Sequence, residues 1–356
     1  MLEKIYNWFD ERYQIRDLQE FAAHKQVPVH AHTIWYYFGG VSMFLFIVQV
    51  LSGALLLLYY RVGEDQSFES VHFIMSQVKF GWLVRSIHSW SANLMVLSVF
   101  VHLFSVFFTK AFRKPRELTW ISGFVLLLLT VTFGFSGYLL PWNELAFFAT
   151  KVGTQTIGSI PVVGEQLLRM LRGSDDVTGA TLARFFGLHI AILPGIFTII
   201  IGLHLAFVQR QSMSEPESCA ALPENQKPRM PFFPNFMLRD LLLWLIVLNI
   251  LALLAVLFPW ELGSKAEPFA AAPAGIKPEW YFLFAYQTLK YIPAKVLFLE
   301  GEFFGVLMFS LGGLLFALVP FWEPRIPEKY RNTVLNAFGI LLLIFLLATT
   351  IWGYRS

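Results

Sequence analysis

Cysteine is almost missing from this 356-residue chain, where Cys219 stands alone. A single thiol excludes an internal disulfide, an iron–sulfur cluster held by this chain, and a CxxCH site for covalent haem. Charge is scarce too, at 14% Asp, Glu, Lys and Arg, where soluble domains carry about a quarter. The net charge of +3 is too small a bias to suggest nucleic acid as a partner. No internal repeat is visible, and no cleavable leader is expected. Residues 1–32 mix Trp8, Phe9, Tyr13, Leu18 and Phe21 with acids, Arg and Gln. That is the pattern of a helix lying in the headgroup region.

Apolar residues are abundant, at 56% hydrophobic and 17% aromatic. One helical crossing of a bilayer needs about 20 of them. Seven runs qualify, near 34–60, 81–108, 118–140, 182–208, 238–258, 302–321 and 334–353. Aromatics crowd their ends, as in WYYF at 35–38, where ring side chains favour the interface. The expected fold is an all-α polytopic membrane protein with seven transmembrane helices. The polar, Pro-rich stretch 211–235 divides it into a four-helix part (1–210) and a three-helix part (236–356).

Basic residues in TKAFRKPREL (109–118) and EPRIPEKYR (323–331) outnumber acids. The positive-inside rule puts both loops, and the N-terminus, on the cytoplasmic side. The connections 141–181 and 259–301 then lie on the opposite face. Both are too apolar for free linkers, and they are expected to pack on the bundle.

Of eight histidines, four fall inside the apolar runs: His88 and His102 on the second, His189 and His204 on the fourth. Separations of 14 and 15 residues place each pair roughly 21–22 Å apart along its helix and near one face. The two helices cross in the same direction, so His88 meets the level of His189 and His102 the level of His204. A single buried histidine is as readily a core residue bonded to a neighbouring hydroxyl. Two matched pairs favour a bis-imidazole haem at each level, with electron transfer as the chemistry. Glycines on the other two helices repeat the period: Gly39 and Gly53 are fourteen apart, as are Gly123 and Gly137. One glycine would mean only close packing. Two pairs suggest backbone making way for a flat group.

These residues, together with WFDER (8–12), FGWLVRSIHSWSANLMVL (80–97), KPRELTWISG (114–123), FGFSGYLLPW (133–142) and KPEWYFLFAYQTLKYIPAK (277–295), carry a resemblance along nearly the whole chain. It resembles cytochrome b of the Rieske/cytochrome b complexes, and is most similar to the chloroplast and cyanobacterial branch with its three-helix partner fused on.

The resemblance implies a low-potential haem held by His88 and His189 near the positive side. It implies a high-potential haem held by His102 and His204 near the negative side, both haems non-covalent and b-type. Arg85 would pair with a propionate. Pro278, Glu279, Trp280 and Tyr281 would line a quinol-oxidation pocket, with Glu279 accepting a proton and Tyr138, Pro141 and Trp142 forming the other wall. Arg210, Glu20 and Lys25, with His30 nearby, fall in the region of a quinone-reduction site. The branch's extra covalent haem would need a cysteine where Tyr37 stands, so any third haem here is non-covalent. Ser105 replaces an arginine common near the high-potential haem.

The implied partners are a Rieske iron–sulfur protein, a c-type cytochrome, quinol and quinone, the lipid bilayer and a second copy of the complex. The implied setting is a bacterial cytoplasmic membrane. The histidines alone leave two readings open: a dihaem anchor of a dehydrogenase or hydrogenase, and a transporter that moves protons through histidine.

Overall fold

The computed structural model describes residues 1–30 and 32–356, apart from the side chains of Leu18, Phe21, Ala22, Glu217 and Ser218. The contributions of Leu18 and Phe21 to the expected headgroup helix therefore lie outside the described residues. The chain starts with two short amphipathic helices, α1 (Leu2–Tyr13) and α2 (Ile15–His24), broken where Gln14 turns left-handed. Trp8, Phe9 and Tyr13 are exposed on α1, which suits a helix resting on a membrane surface.

Strand β1 (Gln26–Pro28) leads into α3 (Tyr37–Leu57), α4 (Ser67–Ser76), α5 (Gly81–Phe108) and α6 (Glu117–Tyr138). The helices α7 (Glu144–Gly158), α8 (Gly164–Arg172) and α9 (Gly179–Gly187) follow, and α9 continues through one wide turn into α10 (Leu193–Gln211). After α11 (Glu217–Ala220) and β2 (Arg229–Pro231) come α12 (Met237–Leu257), α13 (Trp280–Tyr291), β3 (Lys295–Val296), β4 (Leu299–Glu300), α14 (Gly301–Ala317), α15 (Val319–Trp322) and α16 (Glu328–Arg355). The all-α membrane architecture is borne out. Among the described residues six helical stretches are long and apolar enough to cross a bilayer, and α14 with α15 makes a seventh if counted as one span.

That seventh span departs from a straight helix, bending by 63° at Leu318. Pro320 explains the break, because it has no N–H to give and its ring crowds the carbonyl four residues back. The stretch 211–235 also departs from a plain linker. Its Arg229–Pro231 pairs antiparallel with Gln26–Pro28, in the register Val27 opposite Met230. Lys227 and Arg229 both bridge Glu215 and Glu224. The segment is thereby tied to the N-terminal arm.

The C-terminal helices close on the N-terminal four, with α12 packing on α3 and α5, and α16 on α5. An aromatic core of Phe107, Phe112, Trp120, Phe316, Val319 and Leu335 joins the two parts at one end. There the buried Glu323 carboxylate accepts from Arg113 at 2.8 Å, with Arg331 at 3.6 Å. Removing one member of a buried ion pair leaves the other poorly solvated. Glu323→Ala is therefore expected to lower stability by ~3 kcal/mol, read as a lower Tm of the purified complex.

At the other end Ser356 and Lys277 bond to Gln287 and to the Tyr354 carbonyl. The C-terminus thus lies beside α13, while the N-terminal arm lies against the end of α10.

Candidate electron-transfer site

The four intramembrane histidines fall on two levels, as their spacing suggests. His88 and His189 face each other with ring centres 6.4 Å apart and planes 75° apart. Imidazole nitrogen binds a first-row metal at about 2 Å, so two rings sharing one ion stand with centres about 6 Å apart. The observed gap is that of one metal ion between two rings.

The wide turn Leu188–Ile192 carries His189, and it accounts for the unequal spacings. At 100° per residue, fourteen residues return within about 40° of the start, while fifteen overshoot by about 60°. A π-type turn holds about one extra residue, so His189 and His204 recover the alignment of the fourteen-residue pair. Pro194, just beyond, gives the turn its cause: it cannot donate to the carbonyl of Ile190, so the ladder skips a step.

Each of the four periodic glycines touches a different imidazole. A Cβ added at Gly39 would meet Cε1 of His102 at 3.1 Å, and at Gly53 that of His88 at 3.2 Å. One at Gly123 would meet His204 at 3.2 Å, and one at Gly137 would meet His189 at 2.5 Å. The glycines therefore make way for the rings themselves. Gly202, on α10 with His204, has open space where its Cβ would be. If the paired imidazoles hold haem as the sequence suggests, Gly137→Ala should displace the His189 ring and lower the haem content while Gly202→Ala leaves it unchanged. Haem-to-polypeptide ratios check this.

Three of the imidazoles have a hydroxyl on Nδ1. Ser52 lies 2.9 Å from His88, Ser122 2.9 Å from His204, and Ser136 3.1 Å from His189. Each serine directly precedes one of the glycines. At the fourth position Phe38 precedes Gly39, and Nδ1 of His102 is buried without a hydrogen-bond partner among the described residues. Sequence reasoning overlooked this. The recurring Ser-Gly at 52, 122 and 136 was the available signal.

Between the levels sits an apolar septum of Leu45, Met95, Leu126 and Phe197, packed with Phe46 and Phe133.

A cavity of about 430 Å³ opens beside His88 and His189 and reaches the connection that carries Trp260 and Glu279. Gly53, Gly137, Arg85, Tyr138, Pro141, Glu279 and Tyr281 line it as well, so it joins one histidine level to the PEWY loop. Glu279 caps α13, and burial pushes its carboxyl above the usual carboxylate range. Tyr281 turns its hydroxyl against Gly134, where a side chain would collide with it. Arg85 is buried and donates to the carbonyls of Trp260 and Glu261, the latter at 3.1 Å, and to Met75 Sδ at 3.2 Å.

Three expected lining residues stand elsewhere. Trp142 takes a left-handed φ of 51° and turns into the core against Phe147, so it supports the wall from behind. Trp280 points to α5 and donates from Nε1 to Asn93 Oδ1 at 2.8 Å. Pro278 does not line the cavity either; it leads into the Glu279 cap.

At the opposite end Glu20 and Lys25 share an open depression of about 550 Å³ with Asp17, His24, Gln209 and Arg229. Lys25 donates to Gln209 and stands 4.5 Å from the Phe232 ring; burial lowers its pKa. Arg210 is exposed and outside this group. His30 packs edge-on against Tyr36, and burial lowers its pKa. Tyr37 is buried flat against Phe236 at 4.6 Å, so its ring fills that place. Ser105 donates to the His102 carbonyl at 2.7 Å.

Asp240 was not anticipated. It lies in the first turn of α12 with its carboxylate against Gly40 and near Trp244, and Oδ1 is buried without a close hydrogen-bond partner among the described residues. A carboxylate inside a span is costly and usually functional, which was the signal to follow.

Comparison with known proteins decides the family. Cytochrome b/b6/petB matches residues 23–212, and Cytochrome b(C-terminal)/b6/petD matches residues 265–356. The chain belongs to the cytochrome b family. It is 47% identical to a cytochrome bc complex cytochrome b subunit of Chlorobaculum thiosulfatiphilum, over 99% of this chain and 82% of that one. It is 43% identical to cytochrome b6 of Synechococcus sp. (strain JA-3-3Ab), over 60% of this chain and all of that one. Among solved structures it superposes on a chain of a hyperthermophilic respiratory Complex III with a TM-score of 0.81. That pair shares 27% identity, with 98% of each chain covered. The protein is thus an integral, multi-pass cytochrome b of a bc- or b6f-type electron-transfer complex, in a family that binds b-type haem.

Proposed function

We propose that this cytochrome b oxidises quinol at the positive-side cavity, sending one electron to a Rieske protein and the other across the membrane to quinone. The carrying observation is the single cavity that holds His88, His189 and Glu279 together. The donor set fits two haems: paired imidazoles, glycines where a Cβ would collide, and a ring gap suited to one ion. When bound, those haems supply a one-electron relay between the two membrane faces.

The chain's own residues do the rest. His88 with His189, and His102 with His204, would hold the two irons from both sides and so close them to oxygen. The septum of Leu45, Met95, Leu126 and Phe197 keeps water from the path between them. Glu279 takes a proton from the quinol hydroxyl, while Tyr138, Pro141 and Tyr281 shape the ring's slot. On the negative side Asp240, Lys25 and Glu20 supply protons to the quinone being reduced. An electron crossing the whole membrane moves through a field worth about 2.3 kcal/mol per 100 mV. Consuming protons on one face and releasing them on the other makes the cycle a proton translocator.

The basic loops argue for an N-terminus on the cytoplasmic side, and the family similarity argues for a bacterial membrane. A single cysteine cannot hold an iron–sulfur cluster, so the electron acceptor in this reading is a separate Rieske subunit; a c-type cytochrome subunit is what the family similarity suggests. A dimeric complex remains an expectation from the resemblance; a third haem would have to be non-covalent, and the buried Tyr37 ring stands where its cysteine would be. A dihaem anchor is not favoured, since family similarity continues through residues 265–356.

The test is quinol-driven haem reduction in the purified complex, with and without a blocker of the quinol pocket. Rapid, blocker-sensitive reduction supports the reading. Haem bands that quinol cannot reduce would overturn it.

A further inference from the structure

The serines on the haem-facing helices offer more than packing. Each hydroxyl has one proton, and each is already directed at a helix carbonyl. Ser52 donates to the Val48 carbonyl at 2.6 Å, Ser122 to Thr119 at 3.0 Å and Ser136 to Phe133 at 3.2 Å. Towards its histidine each oxygen is left to accept, so Nδ1 of His88, His204 and His189 carries the proton. His189 and His204 reach the backbone carbonyls of Phe133 and Thr119 as well, so Ser52 on His88 is the serine bond with no backbone alternative. Nε2 is then the free lone pair, the one a metal takes. A hydrogen bond from the outer N–H of a ligating histidine fixes the ring and makes it a stronger electron donor. Stronger donation favours the oxidised iron, which lowers the reduction potential.

The distribution of these bonds is unequal. The positive-side level has two, Ser52 on His88 and Ser136 on His189. The negative-side level has one, Ser122 on His204, because Phe38 occupies the fourth place and His102 Nδ1 is left without a partner among the described residues.

We propose that Ser52, Ser122 and Ser136 are positioning residues that set the order of the two haem potentials. Two accepted N–H bonds make the positive-side haem the weaker oxidant, and one makes the negative-side haem the stronger. Electrons then run downhill from the quinol cavity to the far side. This rests on the dihaem reading above. It adds a tuning device, carried by the residue before each glycine, that the ligands alone do not supply.

The test uses the purified complex with Ser52 or Ser136 replaced, and separately Ser122. Equilibrium midpoint potentials are measured optically for each haem. Ser52→Ala and Ser136→Ala should raise the potential of the positive-side haem and leave the other unchanged. Ser122→Ala should raise only the negative-side haem.

If alanine loosens a haem, threonine and valine decide, since they have nearly equal shape and only threonine keeps the hydroxyl. Ser→Thr retaining the original potential while Ser→Val shifts it upward supports the proposal. Equal potentials in the two, a shift of both haems together, or a downward shift would overturn it. A protein that binds no haem before any substitution would instead overturn the dihaem reading, so the two failures are distinct.

Discussion

His189→Ala is expected to remove one b-type haem and to stop electron flow between the two faces, while the other haem stays. His189 belongs to a turn built for it: the extra residue in Leu188–Ile192 aims the ring at His88, 6.4 Å away centre to centre. Without it, Gly137 faces a void and Ser136 loses the N–H it accepts. His88 alone leaves one face of the iron to whatever enters the cavity. The His102 and His204 level lies roughly 21 Å along the helices, behind the septum of Leu45, Met95, Leu126 and Phe197, so it should keep its haem. Pyridine haemochrome analysis should give about half the original haem per polypeptide. Quinol should no longer reduce the remaining haem through the positive-side cavity. Unchanged iron content and absorbance would sink the assignment of the histidine pair.

The spans were legible because a bilayer demands about 20 apolar residues per crossing, and nothing in the interior competes with that requirement. The histidine levels were legible because helical rise converts spacing directly into height. What was not legible depends on turns and on neighbours far away in sequence. The bend at Leu318 needed Pro320 to be weighed as a breaker inside an apolar run. The pairing of Arg229–Pro231 with Gln26–Pro28 joins segments about two hundred residues apart, with nothing local to announce it. Trp142 was placed on the cavity wall because its neighbours Tyr138 and Pro141 belong there; a left-handed backbone at that one residue turns the indole inward. The glycines were read as room for a macrocycle, and they make room for imidazoles. Asp240 drew no reading where it opens an apolar run beside Arg239, yet its carboxylate lies against α3.

Glu279→Gln should slow quinol oxidation by about 100-fold at neutral pH, within the range that a positioned general base supplies. Its effect should depend on pH in a defined direction. Burial disfavours the charged carboxylate, so Glu279 keeps its proton to a higher pH than an exposed glutamate. Only the ionised form accepts the quinol proton. The rate should therefore climb as pH rises through that raised pKa and level off above it. Glutamine cannot ionise, so the variant should lose the climbing limb as well as the rate. It keeps the shape of the side chain, so binding of a quinol-pocket blocker and the optical bands of both haems should be preserved. Glutamine showing the same pH profile as the native protein, merely scaled down, would assign Glu279 to shaping the pocket and move the proton acceptor elsewhere.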